Sequence, residues 1–129
     1  MIKFTGQMLV LALGGGIGTL LRVLIYYFAE KQLTNEMPYG TILVNVIGSL
    51  VIGLLWGIFE KNGIPPTVKA FMFIGVLGGF TTFSTFALDS FNILQQGKIM
   101  VFGIYFILNN FLGISACFIG YYITKIFTA

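Results

Sequence analysis

The sequence predicts an all-α membrane protein with four transmembrane helices, and both its composition and its hydropathy support that prediction. Of its 129 residues, 57% are hydrophobic and only 9% are charged, whereas about 25% are charged in an ordinary soluble domain. A soluble fold of this size could not bury so much apolar surface. We therefore expect a single-domain, multi-pass protein of the cell membrane that is embedded in the lipid bilayer.

Four apolar stretches divide the chain, at residues 8–28, 39–59, 68–94 and 100–123. At about 1.5 Å of rise per residue, each is long enough to cross about 30 Å of hydrocarbon. The first stretch follows Lys3, but it is too long for the apolar part of a secretory signal and has no Ala-x-Ala cleavage site. We expect it to be a permanent helix.

Side chains suited to catalysis are scarce in this sequence. It has no histidine, one cysteine (Cys117), and four acids, Glu30, Glu36, Glu60 and Asp89. This set offers almost nothing to a hydrolase or a metalloenzyme, and we expect no enzyme. The seven basic residues are scattered singly along the chain, which argues against a nucleic-acid partner.

The basic residues also give only a weak orientation signal. If the N-terminus, the loop after Glu60 and the C-terminus share one side, that side holds Lys3, Lys61, Lys69 and Lys125, and the other holds Arg22, Lys31 and Lys98. The excess of Lys and Arg sets membrane topology. Dual insertion as an antiparallel pair and a fixed orientation with the N-terminus inside both remain open.

Pairs of glycines four residues apart are the main packing signal. They are Gly14 with Gly18, Gly53 with Gly57, and Gly75 with Gly79. Small residues let helix backbones approach closely in lipid, which favours packing within a dimer as well as within one chain. The alternative is the general enrichment of glycine in membrane helices.

The third stretch contains the run Gly78-Gly79-Phe80-Thr81-Thr82-Phe83-Ser84-Thr85-Phe86. Each glycine disfavours a helix by about 1 kcal/mol relative to alanine, and the hydroxyls compete for backbone hydrogen bonds. One interpretation is a broken helix that builds an ion site at mid-membrane. The other is a continuous helix whose hydroxyls bond back to carbonyls one turn earlier.

The phenylalanines of this run recur every third residue, which makes one stripe if the segment is near-helical. Such a stripe often serves only packing. However, the edge of a phenyl ring carries positive potential, and rings set edge-on to a path can contact an anion without binding it too firmly.

Several polar side chains inside the apolar stretches are candidate anion contacts. Asn45 offers two donors, or it forms an interhelical hydrogen bond. Tyr105 and Asn109 are four residues apart and share a helix face. Arg22 either attracts anions toward a vestibule or anchors the first helix at the interface. Asp89 has three possible roles: to neutralise Arg22, to cap backbone donors, or to face water.

These motifs resemble those of the Fluc family of small bacterial and archaeal fluoride channels. Gly14-Gly15-x-x-Gly18-Thr19-x-x-Arg22 is similar to the family's first-helix GGxxGAxxRY pattern, with Thr19 and Val23 replacing its Ala and Tyr. Gly40-Thr41-x-x-Val44-Asn45-x-x-Gly48-Ser49 is similar to its second-helix motif. The run from Gly78 to Phe86 resembles its broken third helix and is the most specific match.

The resemblance implies an antiparallel, dual-topology homodimer that exports fluoride passively from the cytoplasm and thereby limits fluoride toxicity. Two pores would lie at its interface, around a central structural sodium ion. The implied fluoride pathway comprises Asn45, Thr82, Phe83, Ser84, Phe86, Tyr105 and Asn109. The implied sodium ligands are the backbone carbonyls of Gly78 and Thr81. A heterodimer with a similar chain stays open.

Two other classes of function compete with this one. A proton-coupled exporter of the small multidrug type is also a four-helix antiparallel dimer, but it needs a membrane carboxylate in its first helix. None of the first 29 residues is acidic. The third class is an assembly subunit in which the polar residues serve only as interhelical contacts.

Overall fold

The computed structural model describes residues 4–33 and 36–128, and within these ranges the regular structure is helical. Four spans are long and apolar enough to cross a membrane: Phe4–Gln32, Tyr39–Lys61, Pro66–Gln95 and Ile99–Phe127. We call them the first to fourth spans. This confirms the predicted all-α fold with four membrane-length helices; Lys3, which enters the orientation argument, lies outside the described residues.

The outer surface of the bundle is apolar. Leu13, Leu20 and Ile126 are 66%, 68% and 75% exposed, as are many other large aliphatic and aromatic side chains. Water would disfavour such a surface, whereas lipid tails solvate it. The chain is therefore a multi-pass integral membrane protein.

Glycines bring the backbones of neighbouring spans into contact. A Cβ added at Gly14 would lie 3.0 Å from the Cα of Gly75, and one added at Gly18 would overlap the carbonyl oxygen of Val76. At Gly53, an added Cβ would overlap the carbonyl oxygen of Cys117 in the fourth span. The first span thus packs on the third, and the second packs on the fourth. Both contacts are too close for a side chain larger than that of glycine.

The third span has two helical parts. Residues 66–80 are helical, with wider π-type turns over Ala70–Leu77, and a second helix covers Phe83–Gln95. Between them, Thr81 (φ −80°, ψ 160°) and Thr82 (φ −152°, ψ 121°) have extended backbones. The fourth span also contains π-type turns, at Leu108–Leu112, and this segment packs against the second span.

Candidate functional site

The extended backbone at Thr82 is held by the side-chain amide of Asn45. The N–H of Thr82 donates to Oδ1 of Asn45 (2.9 Å), and Nδ2 of Asn45 donates to the carbonyl oxygen of Thr82 (3.1 Å). One side chain therefore pairs both backbone polar groups of a residue that has left the helix. Unpaired polar groups in an apolar interior are costly, so this pairing explains how the extended backbone is tolerated.

Thr82 also starts the helix that follows it. Its hydroxyl accepts a hydrogen bond from the N–H of Thr85 (3.2 Å) and donates to Oγ1 of Thr85 (3.0 Å). This is the side-chain N-cap arrangement, in which threonine pairs one of the free amides of the first turn. On the other side of the interruption, the hydroxyl of Thr81 donates back to the carbonyl of Leu77 (2.8 Å).

Asn45 also connects the second span to the fourth. Its Nδ2 donates to Oδ1 of Asn109 (3.1 Å), while Nδ2 of Asn109 donates to the carbonyl of Tyr105 (3.1 Å). Both hydrogens of the Asn45 amide thus have acceptors within the chain. Asn45 therefore connects the second span to the third and the fourth. This is the interhelical hydrogen bonding that the sequence offered as an alternative to contact with an anion.

A cavity of about 320 Å³ lies beside these amides. Five of the residues on the implied fluoride pathway line it: Asn45, Thr82, Phe83, Phe86 and Asn109. The cavity is also lined by Gly78, Thr81 and Asn110. The structure thus brings amide groups, two threonines and three phenyl rings to one place. We call it the amide cavity.

Phe83 and Phe86, the two phenylalanines of the implied pathway that line the amide cavity, have different surroundings. Their ring centroids are 5.6 Å apart, but Phe83 is 77% exposed and Phe86 only 7%. Phe86 packs against the rings of Tyr105 (5.5 Å) and Phe106 (6.0 Å). Phe86 is therefore fixed by the chain itself, whereas the ring of Phe83 stands at its surface.

A second cavity, of about 420 Å³, opens between the end of the first span, the start of the second and the Phe83–Gln95 helix. We call it the vestibule. At its wall, Oδ2 of Asp89 accepts hydrogen bonds from the hydroxyls of Thr41 (2.7 Å) and Tyr105 (2.8 Å), and the hydroxyl of Tyr26 lies 3.1 Å from that of Thr41. Asp89 thus pairs with hydroxyl donors.

The two cavities are adjacent at a pair of threonines. Thr82 lines the amide cavity and Thr85 lines the vestibule, and their hydroxyl oxygens are 3.0 Å apart. Thr85 is not among the residues predicted for the fluoride pathway. Its spacing of three residues from Thr82 is the signal that could have identified it, because a capping side chain bonds to the amide three residues later.

Three other candidate residues lie outside the amide cavity lining. Tyr105 is completely buried, with its hydroxyl on Asp89. Ser84 is exposed, with its hydroxyl 3.4 Å from that of Thr82. Arg22 is half-buried on the first span and lines neither cavity. Of these three, Tyr105 contacts residues of both cavities: its ring packs against Phe86 of the amide cavity, and its hydroxyl donates to Asp89.

A family model described as "CrcB-like protein, Camphor Resistance (CrcB)" matches residues 9–121. The chain belongs to this family. A fluoride-specific ion channel FluC of Campylobacter jejuni (strain 81-176) is 41% identical over 118 residues, which covers 92% of this chain and 97% of that protein. The FluC of Flavobacterium psychrophilum is 40% identical, covering 89% and 94%.

The CrcB-like match confirms the family resemblance that the glycine, asparagine and phenylalanine motifs indicated. A third relative, the FluC of Aquifex aeolicus, is 37% identical and covers 90% of this chain and 94% of that protein. The family is one of ion channels and not of enzymes. The matches extend over all four spans, and they therefore concern the whole membrane domain.

Proposed function

We propose that this CrcB-like chain forms a passive, selective channel that exports fluoride from the cytoplasm and limits fluoride toxicity. One observation carries the proposal: the amide cavity, where the side chains of Asn45, Asn109, Thr82, Phe83 and Phe86 meet beside the extended backbone of the third span. The names of its relatives, fluoride-specific ion channels, support the choice of ion.

The hydrogen-bond donors of the amide cavity suit a small anion because they are uncharged and because there are several of them. A bare ion in an apolar medium costs tens of kcal/mol, and one hydrogen bond to a charged group returns about 1.5–3 kcal/mol. Passage therefore needs several donors and some water. Sites made of neutral donors and ring edges also let the ion leave, which conduction requires.

Asn109 and Asn110 are the best-placed donors. Each uses one amide hydrogen on a carbonyl of its own helix, Tyr105 for Asn109 and Phe106 for Asn110. Because an amide NH2 carries two hydrogens, each retains one for an ion in the cavity that both residues line. Fluoride reaches Asn45 only by competing with the acceptors that Asn45 already contacts.

We place the interruption of the third span at the middle of the bilayer and its open side against a second copy of the chain. Thr81 and Thr82 are near the midpoint of Pro66–Gln95. The ring of Phe83 is 77% exposed, and an antiparallel partner would cover it and complete two pores. A homodimer is proposed; a heterodimer with a similar chain would meet the same geometric need.

A structural sodium ion at the centre of that dimer is compatible with the backbone here. Thr81 has an extended backbone. In a continuous helix its carbonyl would accept from the N–H of Thr85, but that N–H donates to the hydroxyl of Thr82 instead. At Gly78, an added Cβ would meet only the carbonyl of Phe73, at 3.6 Å. Backbone oxygens are suitable ligands for a hard cation, and it would supply a positive field near the pores.

Reconstitution into liposomes tests the function. We expect passive fluoride efflux, measured with a fluoride electrode, that continues without a proton gradient and exceeds chloride efflux under the same conditions. Protein-free liposomes are the control. Proton-coupled movement of an organic cation would instead support the multidrug exporter, and the absence of both fluxes from correctly folded protein would support an assembly subunit.

A further inference from the structure

The vestibule carries more negative than positive charge. Three carboxylates line it, those of Glu30, Glu36 and Asp89, against one ammonium group, that of Lys98. Asp89 is held by two hydroxyl donors. Glu30, near the end of the first span, and Glu36, just before the second span, are both exposed. An acid-lined entrance is unexpected beside a pathway proposed for an anion.

No other cation among the described residues lines this cavity. Lys31 follows Glu30, but its Nζ lies over the ring of Tyr27, 5.9 Å from the centroid, and neither Lys31 nor Arg22 is part of the lining. The remaining polar lining residues are uncharged hydroxyl and amide side chains: Tyr26, Tyr39, Thr41, Thr85, Asn92 and Gln96. Residues 34 and 35, which lie outside the described ranges, are Thr and Asn and carry no charge.

We propose that Glu30 and Glu36 make the vestibule an electrostatic barrier that slows the entry of anions. The inference rests on the proposed function, because the anion that matters is fluoride. In a cavity of about 420 Å³, an ion is within about 10 Å of each lining carboxylate, and one unit charge at that distance in water changes its occupancy by about twofold. Two carboxylates therefore lower occupancy about fourfold.

The barrier depends on ionic strength. The screening length is about 30 Å at 0.01 M salt and about 3 Å at 1 M. At low salt the carboxylates act across the whole vestibule, and at high salt they do not. This salt dependence distinguishes an electrostatic effect from a change in structure. The flux of a misfolded variant would differ from that of the parent protein at high salt as well.

Flux from liposomes gives the first test. In about 10 mM salt of impermeant ions, Glu30→Gln with Glu36→Gln should raise fluoride flux about fourfold, and Lys98→Gln should lower it about twofold. Glu60→Gln is the matched control, because Glu60 binds the hydroxyl of Tyr121 outside the vestibule. All variants should converge on the parent at about 1 M salt. Equal flux at low salt would overturn the proposal.

Thiol labelling gives a test that needs no conduction. In a Cys117→Ser background, Gln96→Cys places a thiol in the vestibule, and its reaction rates with cationic and anionic methanethiosulfonate reagents report the local potential. Replacing both glutamates by glutamine should lower the cation-to-anion rate ratio about sixteenfold at low salt, because the fourfold effect acts in opposite directions on the two reagents. An unchanged ratio overturns the barrier. If the parent protein shows no fluoride flux, the proposed function is rejected. The labelling ratio still tests the electrostatic barrier in that case.

Discussion

Phe83 and Phe86 have the same side chain but different neighbours, so their replacement should have different consequences. Phe83→Ile removes a ring that is 77% exposed, and the stability of the single chain should hardly change. Phe86→Ile removes a buried ring from contacts with Tyr105 and Phe106, and it should cost about 1–3 kcal/mol.

Both phenylalanine variants should lower fluoride flux, because isoleucine has no ring edge with positive potential. Liposome flux and thermal unfolding in detergent, measured on the same preparations, separate the two effects. Unchanged flux in both variants would reject a pathway along the ring edges. Equal loss of stability in both would contradict the difference in burial.

Asn45→Asp replaces the amide NH2 of Asn45 by a carboxylate oxygen. That oxygen would face two acceptors, the carbonyl of Thr82 and Oδ1 of Asn109, where Nδ2 now donates to both. A lost donor beside buried acceptors costs about 1–3 kcal/mol. We expect lower thermal stability together with a strong loss of fluoride flux, which the added negative charge would also repel.

Asn110→Asp is the matched control for the stability effect of Asn45→Asp. Asn110 is also an asparagine beside the amide cavity, but its side-chain amide donates to the carbonyl of Phe106 in its own helix. Its replacement should therefore destabilise the fold less. Equal unfolding temperatures for the two variants would show that Asn45 does not hold the spans together.

At the scale of elements, Gly78 and Gly79 are neighbours on one helix with opposite surroundings. A Cβ at Gly79 would lie 2.5 Å from the carbonyl oxygen of Gly15, so Gly79→Ala should push the first and third spans apart and destabilise each chain. A Cβ at Gly78 has only an ordinary contact, 3.6 Å from the Phe73 carbonyl. Gly78→Leu should therefore be tolerated by the single chain.

Gly78→Leu thus becomes a test of what lies against the third span. If a second copy packs there around a central cation, leucine should weaken the dimer and lower flux while the monomer keeps its helical circular dichroism. Size-exclusion chromatography and flux measure both outcomes. A fully active dimer carrying Gly78→Leu would contradict a partner at this face, and full activity after exhaustive sodium removal would contradict a required sodium ion.

At the scale of the whole molecule, the predicted orientation is open to a direct measurement. In a Cys117→Ser background, Lys61→Cys and Lys98→Cys place single thiols at opposite ends of the bundle. Lys61 ends the second span and Lys98 precedes the fourth, so the whole third span lies between them. If the chain inserts both ways, an impermeant reagent should label about half of each variant from outside intact cells.

Permeabilised cells give the total labelling for each cysteine, and a fixed-orientation membrane protein serves as the control. Complete labelling of one position and none of the other would establish a single orientation. That outcome would contradict the antiparallel dimer, since two chains inserted the same way cannot be related by an axis in the membrane plane.

The sequence determined the membrane class, the four helical spans and the family of this chain. These properties follow from composition and local pattern: apolar length sets what crosses a bilayer, and the glycine and phenylalanine runs are visible as residue order. It also identified residues that meet in the structure, since Asn45, Asn109, Phe83 and Phe86 all line the amide cavity.

Tertiary structure decided what each of those residues touches. The sequence could not choose between a pore donor and an interhelical contact for Asn45; the fold places Thr82 and Asn109 within 3.1 Å of its amide. The sequence likewise could not assign a partner to Asp89. In the fold, the hydroxyls of Thr41 and Tyr105 donate to its carboxylate. Hydrogen bonds between groups 16–64 residues apart depend on how helices pack, and helix packing is a property of surfaces in contact, not of the order of residues along one helix.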